Sequence, residues 1–389
     1  MTKLGDKALL PAGLQDLLPP NAAQEASVVE RLIACFAAQG YERVKPPLLE
    51  FEQTLLAGAG ASLAQQTFRL MDPVSQHMMG LRADMTPQVA RIAATRLKHA
   101  PRPLRLCYGG QVLQVKGSQL RPERQFGQVG AELIGAPQPA ADAEVVLLAA
   151  EALATVGVAG LSMDLNLPPL VGALAAGLGL DAAEAAALRQ ALDRKDIATV
   201  AAIAGARAAP FGDLLRAAGP AETALDALDR IALPDAAAGE LDRLRRVVGL
   251  VREAAPDLTL TLDPVEHRGF EYQTGISFIL FARGVRGELG RGGRYITETP
   301  GGAGGEGGLE SSTGFTLFMD TIQRALPEPE PVRRLYLAAD AGHGAARGLR
   351  GQGWITVRGL DPAADPRAEA RRLGCSHALI DGRIEDVED

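Results

Sequence analysis

Gln128 and Glu132 stand four residues apart in the run Gln125–Ile134, QFGQVGAELI. Side chains alternate along a strand, so Phe126, Gln128, Gly130, Glu132 and Ile134 share one side, and Gln125, Gly127, Val129, Ala131 and Leu133 share the other. An amide and a carboxylate on a strand that otherwise looks central need partners, because leaving either buried and unpaired costs roughly 1–3 kcal/mol or more. A polar ligand meets that need, and so does a solvated sheet face. A second stretch with chemical potential is GELGRGGRY, residues 287–295, whose glycines suggest a phosphate cradle. It has neither a Walker lysine nor a GxGxxG within a strand-turn-helix unit, so a sheet turn is the expectation. Cys35, Cys107 and Cys375 are far apart and lack zinc-ligand spacing, as do the five histidines, so no metal site is expected.

Several elements must position these residues. The apolar run Leu104–Val115 precedes Gln125–Ile134 across turn-forming residues 116–123, which predicts an antiparallel hairpin with a long loop. Upstream, Val28, Leu32, Cys35, Phe36 and Gln39 form a helical stripe within Ala22–Gln39, and Gly40 ends it. Met71, Met78 and Met79 suggest one apolar patch. A helix is expected over Ala140–Leu153, then a strand over Leu161–Leu170 that stops at Pro168-Pro169. Residues 171–255 read as alanine- and leucine-rich helices broken near Gly205, Pro210, Gly219 and Pro234. Strand patterning resumes at Leu258, residues 300–312 read as mobile low-complexity chain, and PEPEPV reads as a stiff linker. The remainder spells a β-α-β-α-β unit.

Composition sets limits. The 389 residues are 47% hydrophobic and only 4% aromatic, so aliphatic packing must dominate a sizeable core. A net charge of −7 opposes wrapping a tRNA backbone. Neither a signal-like start nor an apolar run of membrane length is evident, so the expected setting is the cytoplasm, with no membrane partner.

The hairpin resembles motif 2 of class II aminoacyl-tRNA synthetases, and in detail that of histidyl-tRNA synthetases. GYERVKPPLLE (40–50) looks like motif 1, LRADMT (81–86) like the family's LRPEGT segment, and HRGFEYQTG (267–275) and GGRY (292–295) like its two histidine-specific segments. The resemblance implies an α+β fold: a class II synthetase-like antiparallel sheet flanked by helices, with a helical insertion and a small C-terminal α/β domain. Its core would occupy residues 1–170 and 257–326, the insertion 171–256, the linker 327–332 and a truncated terminal domain 333–389. The Pro46-Pro47 region would belong to a dimer interface.

By the same resemblance, Asp84 and Thr86 would meet a histidine ammonium, Gln128 and Arg268 its carboxylate region, and Glu132, Tyr272 and Tyr295 its imidazole. The family's ATP clamps, however, fall at Gln114, Lys116 and Thr321. Neither glutamine nor threonine reproduces an arginine's charge or bidentate fork, and each lost phosphate clamp typically costs about 10²–10³ in rate. No catalytic residue and no cofactor is therefore expected. This combination resembles the regulatory subunits of ATP phosphoribosyltransferase. It implies a homodimer within a larger hetero-oligomer containing the short-form catalytic subunit, activation of that enzyme in the first step of histidine biosynthesis, and histidine as allosteric ligand. The competing reading is a divergent histidyl-tRNA synthetase-like amino-acid-activating ligase.

Overall fold

In the computed structural model, residues 9–118, 121–266, 273–299, 308–329 and 332–387 are described. They fall into two compact units, Met1–Pro327 and Glu328–Asp389. The first is built on a nine-stranded sheet. Its strands run, in spatial order, Glu42–Arg43, Leu104–Leu113, Gln125–Ile134, Gly308–Phe318, Gly290–Thr299, Gln273–Ala282, Leu161–Asn166, Thr259–Asp263 and Gly219–Pro220. Pairing is antiparallel except for Glu42–Arg43 on Leu104–Leu113 and Leu161–Asn166 on Thr259–Asp263.

The alternation in Gln125–Ile134 decides which layer lies on which face. Val129, Ala131 and Leu133 pack into the large core with the helix Asn21–Ala38, which contributes Val28, Leu32, Ile33 and Phe36. Phe36 meets Phe315 of the sheet edge-to-face at 5.5 Å. The helix Pro139–Val156 is buried nearly all round, because the helix Asp235–Ala254 packs on its outer side; Gly157, at φ +100°, ends it. On the opposite face, Phe126 and Ile134 pack with Met85, Tyr108 and Phe318. Each fully buried large aliphatic or aromatic side chain is worth about 1.5–3 kcal/mol.

One buried ion pair ties the two layers together. Arg294, 4% exposed, reaches from the strand Gly290–Thr299 to Asp142, 3% exposed, in the first turn of Pro139–Val156; Nη2 lies 2.8 Å from Oδ1 and Nε 3.1 Å from Oδ2. Arg243 of Asp235–Ala254 joins at 3.4 Å, and Arg294 Nη1 also donates to the Ala136 carbonyl at 2.9 Å.

Several local expectations are corrected. Pro168-Pro169 does not stop a strand that reaches Leu170: the strand ends at Asn166, and the prolines open the helix Pro168–Gly177, where a missing N–H costs nothing. The helix breaks expected near Pro210 and Gly219 are present: Pro210 sits inside the first turn of Ala209–Arg216, and Gly219-Pro220 adds an edge strand to the sheet. GGRY is not a turn but part of the strand Gly290–Thr299. Residues 308–312, expected to be mobile, begin the strand Gly308–Phe318, which pairs along its length with Gly290–Thr299.

The second unit has four strands in the order Ile355–Arg358, Arg334–Leu337, His377–Ile380, Arg383–Asp386, with helices His343–Gly351 and Pro366–Arg372. Its first three strands are parallel, and the fourth, unforeseen, is antiparallel. Among the described residues, no helix is long and apolar enough to cross a membrane.

Breaking the Arg294–Asp142 pair strands a buried carboxylate, so Arg294→Met is expected to lower stability by about 3–5 kcal/mol, read as a drop in the urea midpoint of tertiary fluorescence.

Candidate functional site

Five of the seven residues expected to line an amino-acid pocket lie together beneath the hairpin: Asp84, Thr86, Gln128, Glu132 and Tyr295. Arg268 and Tyr272 lie outside the described residues. The sheet register explains the assembly. Glu132 stands opposite Leu106 on one side and Gly314 on the other, and Gly314 stands opposite Gly293, so two glycines form the floor beside the carboxylate. A Cβ at Gly314 would collide with Glu132 Oε2.

Glu132 is 1% exposed, and no lysine or arginine among the described residues forms an ion pair with it. Hydroxyls satisfy it instead. Thr86 Oγ1 donates to Oε1 at 2.9 Å, Tyr108 Oη reaches the same oxygen at 3.3 Å, and Tyr295 Oη donates to Oε2 at 2.8 Å. Tyr108 is in turn bound to Thr316 Oγ1 at 2.7 Å. Desolvation is the strongest influence on Glu132, with Asp84 adding repulsion; against the lowering effect of the hydroxyls, its pKa is pushed up to about 8. Asp84 is also raised by desolvation, although the backbone N–H of Thr86 donates to its Oδ1 at 3.0 Å and Arg291 favours its charge.

Gln128 accepts from the Met85 backbone N–H at 3.1 Å, so it anchors the LRADMT segment to the hairpin. Beside Glu132 is Gln273, which faces Tyr295 across the sheet; its Nε2 donates to the Gly292 carbonyl at 3.3 Å and its buried Oε1 has no donor among the described residues. The cavity between Asp84, Glu132, Gln273, Arg291 and Tyr295 measures about 30 Å³, room for one or two waters. Tyr108, Thr316 and Arg291 were not singled out from sequence. The alternation of Leu104–Leu113 puts Leu104, Leu106, Tyr108 and Val112 on one face and carried the Tyr108 signal, but the neighbouring glycines made it resemble ordinary core.

Two of the three clamp positions carry neutral side chains. Gln114 donates to the Ala83 carbonyl at 3.3 Å, Lys116 is exposed, and Thr321 is buried, accepting from Arg324 at 3.1 Å. Two further arginines, Arg121 and Arg291, are already engaged. Arg121, from the hairpin loop, lies 3.6 Å over the Phe318 ring and 4.9 Å from that of Phe126, and pairs with Asp320 at 3.2 Å and Glu288 at 3.6 Å. Arg291 makes a bidentate pair with Glu288.

A broad, mainly antiparallel sheet, a long-looped hairpin and a carboxylate–hydroxyl cluster under it define a class II, histidyl-tRNA synthetase-like protein. The family model "Histidyl-tRNA synthetase" matches residues 13–322. The fold resembles that of an ATP phosphoribosyltransferase regulatory subunit/histidyl-tRNA synthetase from Bacillus halodurans C, with TM-score 0.81 and 23% identity over 94% of this chain and 96% of that one. Two curated relatives, ATP phosphoribosyltransferase regulatory subunits of Paramagnetospirillum magneticum and Rhodospirillum centenum, are each 59% identical to it. The first alignment covers 100% of both chains; the second covers 98% of this chain and 97% of the relative. The chain belongs to the ATP phosphoribosyltransferase regulatory subunit family.

Glu132 supplies a pH test. The folded chain keeps its proton up to about pH 8, whereas an unfolded glutamate releases it near 4.5. Between those values the folded state holds more protons, so this contribution to stability is complete below the lower value and gone above the upper one. Glu132→Gln removes the loss, and its melting temperature should lie close to the parent's near pH 5 and exceed it by about 5 °C or more at pH 8.

Proposed function

We propose that this chain is a non-catalytic regulatory subunit which activates a short-form ATP phosphoribosyltransferase and makes that enzyme sensitive to histidine, at the first step of histidine biosynthesis. The observation that carries the reading is the state of the clamp positions: Gln114 donates to the Ala83 carbonyl and Thr321 accepts from Arg324, neither supplying an arginine's fork, and Arg121 is held by two rings and two carboxylates. A histidyl-like scaffold in that condition keeps the means to recognise an amino acid and lacks the means to hold triphosphate in line for attack. The acidic net charge argues in the same direction against tRNA.

Histidine is the ligand that the Glu132 cluster suits best. A buried carboxylate flanked by Tyr295 and Thr86 complements an imidazole N–H, and Asp84 complements an ammonium group. The 30 Å³ cavity is too small for it, so binding must widen the pocket, and a ligand that prefers the wide state shifts the population toward it. A coupling of about 1–3 kcal/mol gives roughly 5–150-fold control. Self-association is part of the same reading. Phe51, Leu70, Met71 and Met78 are exposed on the small sheet Leu49–Phe51, Met78–Leu81, Arg69–Met71, an apolar surface suited to a second copy within a larger hetero-oligomer.

Phosphoribosyl transfer to ATP by the catalytic subunit should rise at least about tenfold when this chain is added, and histidine should suppress the gain. Glu132→Ala should leave the complex assembled by analytical ultracentrifugation and raise the half-inhibitory histidine concentration about tenfold or more. Absence of stimulation would reject the function; an unchanged half-inhibitory concentration would remove the pocket from it.

A further inference from the structure

The helix Pro139–Val156 packs against both Asn21–Ala38 and Asp235–Ala254, yet one stripe of it, Ala140, Ala143, Leu147, Ala150 and Ala154, lines an open groove of about 900 Å³. Leu250, Ala254 and Leu258 complete the apolar lining. The other faces of the helix serve the chain's own core through Val145, Val146, Leu148, Ala149 and Leu153, all 0% exposed. Along the stripe, Leu147 and Ala150 are only half-buried, and Ala140 and Ala154 are exposed.

Intervals of three, four, three and four residues are those of a coiled-coil seam, the pattern by which one helix receives another along its length. Four of the five seam residues are alanines, so a second helix axis could approach to about 8 Å. From residue 140 to residue 154 the seam runs about 21 Å, room for four helical turns.

The borders of the groove carry charge of one sign. Glu144, Glu151 and Asp257 line it, and no lysine or arginine does. Glu144 and Glu151, seven residues apart, stand where coiled coils place the charges that select a partner. Arg105 already neutralises Glu144, with Nε and Nη2 each 2.8 Å from its oxygens. Glu151 accepts only from Gln39 Nε2, at 2.8 Å, and neither it nor Asp257 forms an ion pair among the described residues. A second copy of this chain would bring those carboxylates against their own images across a two-fold axis, so a basic partner fits and a like copy does not. The first turn of the same helix holds Asp142, the partner of Arg294, and Arg294 precedes Tyr295 of the Glu132 pocket. An occupant of the groove thus rests on the helix tied to the pocket strand.

We propose that this groove docks an amphipathic helix of the catalytic subunit, one with small apolar residues along its seam and lysine or arginine beside it, opposite Glu151 and Asp257. This docking mode presupposes the regulatory-subunit reading and gives it a contact surface.

Biolayer interferometry of the full-length chain against the catalytic subunit tests it. Ala150→Glu, which sets a carboxylate into the seam, should weaken binding about tenfold or more. Glu151→Lys should weaken it about threefold or more and flatten the loss of affinity between about 50 and 300 mM NaCl. Because residue 151 is exposed, that variant keeps the test valid should Ala150→Glu fail to fold. Parental affinity in both variants would overturn the groove and leave the proposed function standing; no binding by the parent chain would overturn both.

Discussion

A carboxyl group buried in the middle of a sheet, held by three hydroxyls and paired with no described lysine or arginine, is the constraint around which the first unit is arranged. Glu132 needs Gly314 beside it, because any side chain there would occupy its oxygens' space. It needs Tyr295 from the neighbouring strand pair, Thr86 from the start of the helix Thr86–Thr95, and Tyr108 from the other hairpin strand. Those demands fix the order of the four central strands and draw the LRADMT segment against them through Gln128. The cost is a carboxyl that stays protonated to about pH 8 unless a ligand brings it a donor of positive charge. Such a group is poorly explained as a source of stability and well explained as half of a binding interaction.

The proposed separation of amino-acid recognition from chemistry has its physical basis at the same sheet end. Adenylation needs cations free to follow charge as it develops on phosphate. Here Arg121 and Arg291 are both drawn to Glu288, and Arg121 is further held by Asp320 and the Phe318 ring. Desolvation and carboxylate pairing oppose each other on Arg121, and the balance leaves it an internal strut of the hairpin loop. The positions where the resemblance puts the clamps carry an amide and a hydroxyl bound to the protein itself. Loss of catalysis is thus more than a pair of substitutions, since Arg121 and Arg291 are also held in ion pairs within the protein.

Much of this was legible in the chain because it is written in short-range alternation. The period-two pattern of Gln125–Ile134 placed Gln128 and Glu132 together, and the helix Asn21–Ala38 followed from its apolar stripe and Gly40. What was not legible depends on partners distant in sequence. Glycine-rich composition made 308–312 look mobile, yet ten residues of register with Gly290–Thr299 hold the strand that contains them. Prolines 168 and 169 fit a strand stop and a helix start equally well, and only the packing of Pro168–Gly177 on the core chooses between them. The strand Arg383–Asp386 is short, charged and at an edge, so it carries no hydrophobic signal at all. Tyr108 shows the same limit at the site: its face was predictable, its role was not, because Thr86 and Thr316 reach it from other elements.

The most direct test of the central claim, an amino-acid-recognising scaffold that has lost activation chemistry, is histidine-dependent ATP–pyrophosphate exchange by the purified chain alone. The account predicts no exchange above a protein-free control at saturating histidine and ATP, because Gln114 and Thr321 stand where the resemblance puts the clamping arginines. Exchange that depends on histidine and disappears in Glu132→Ala would contradict it and make the chain an amino-acid-activating ligase.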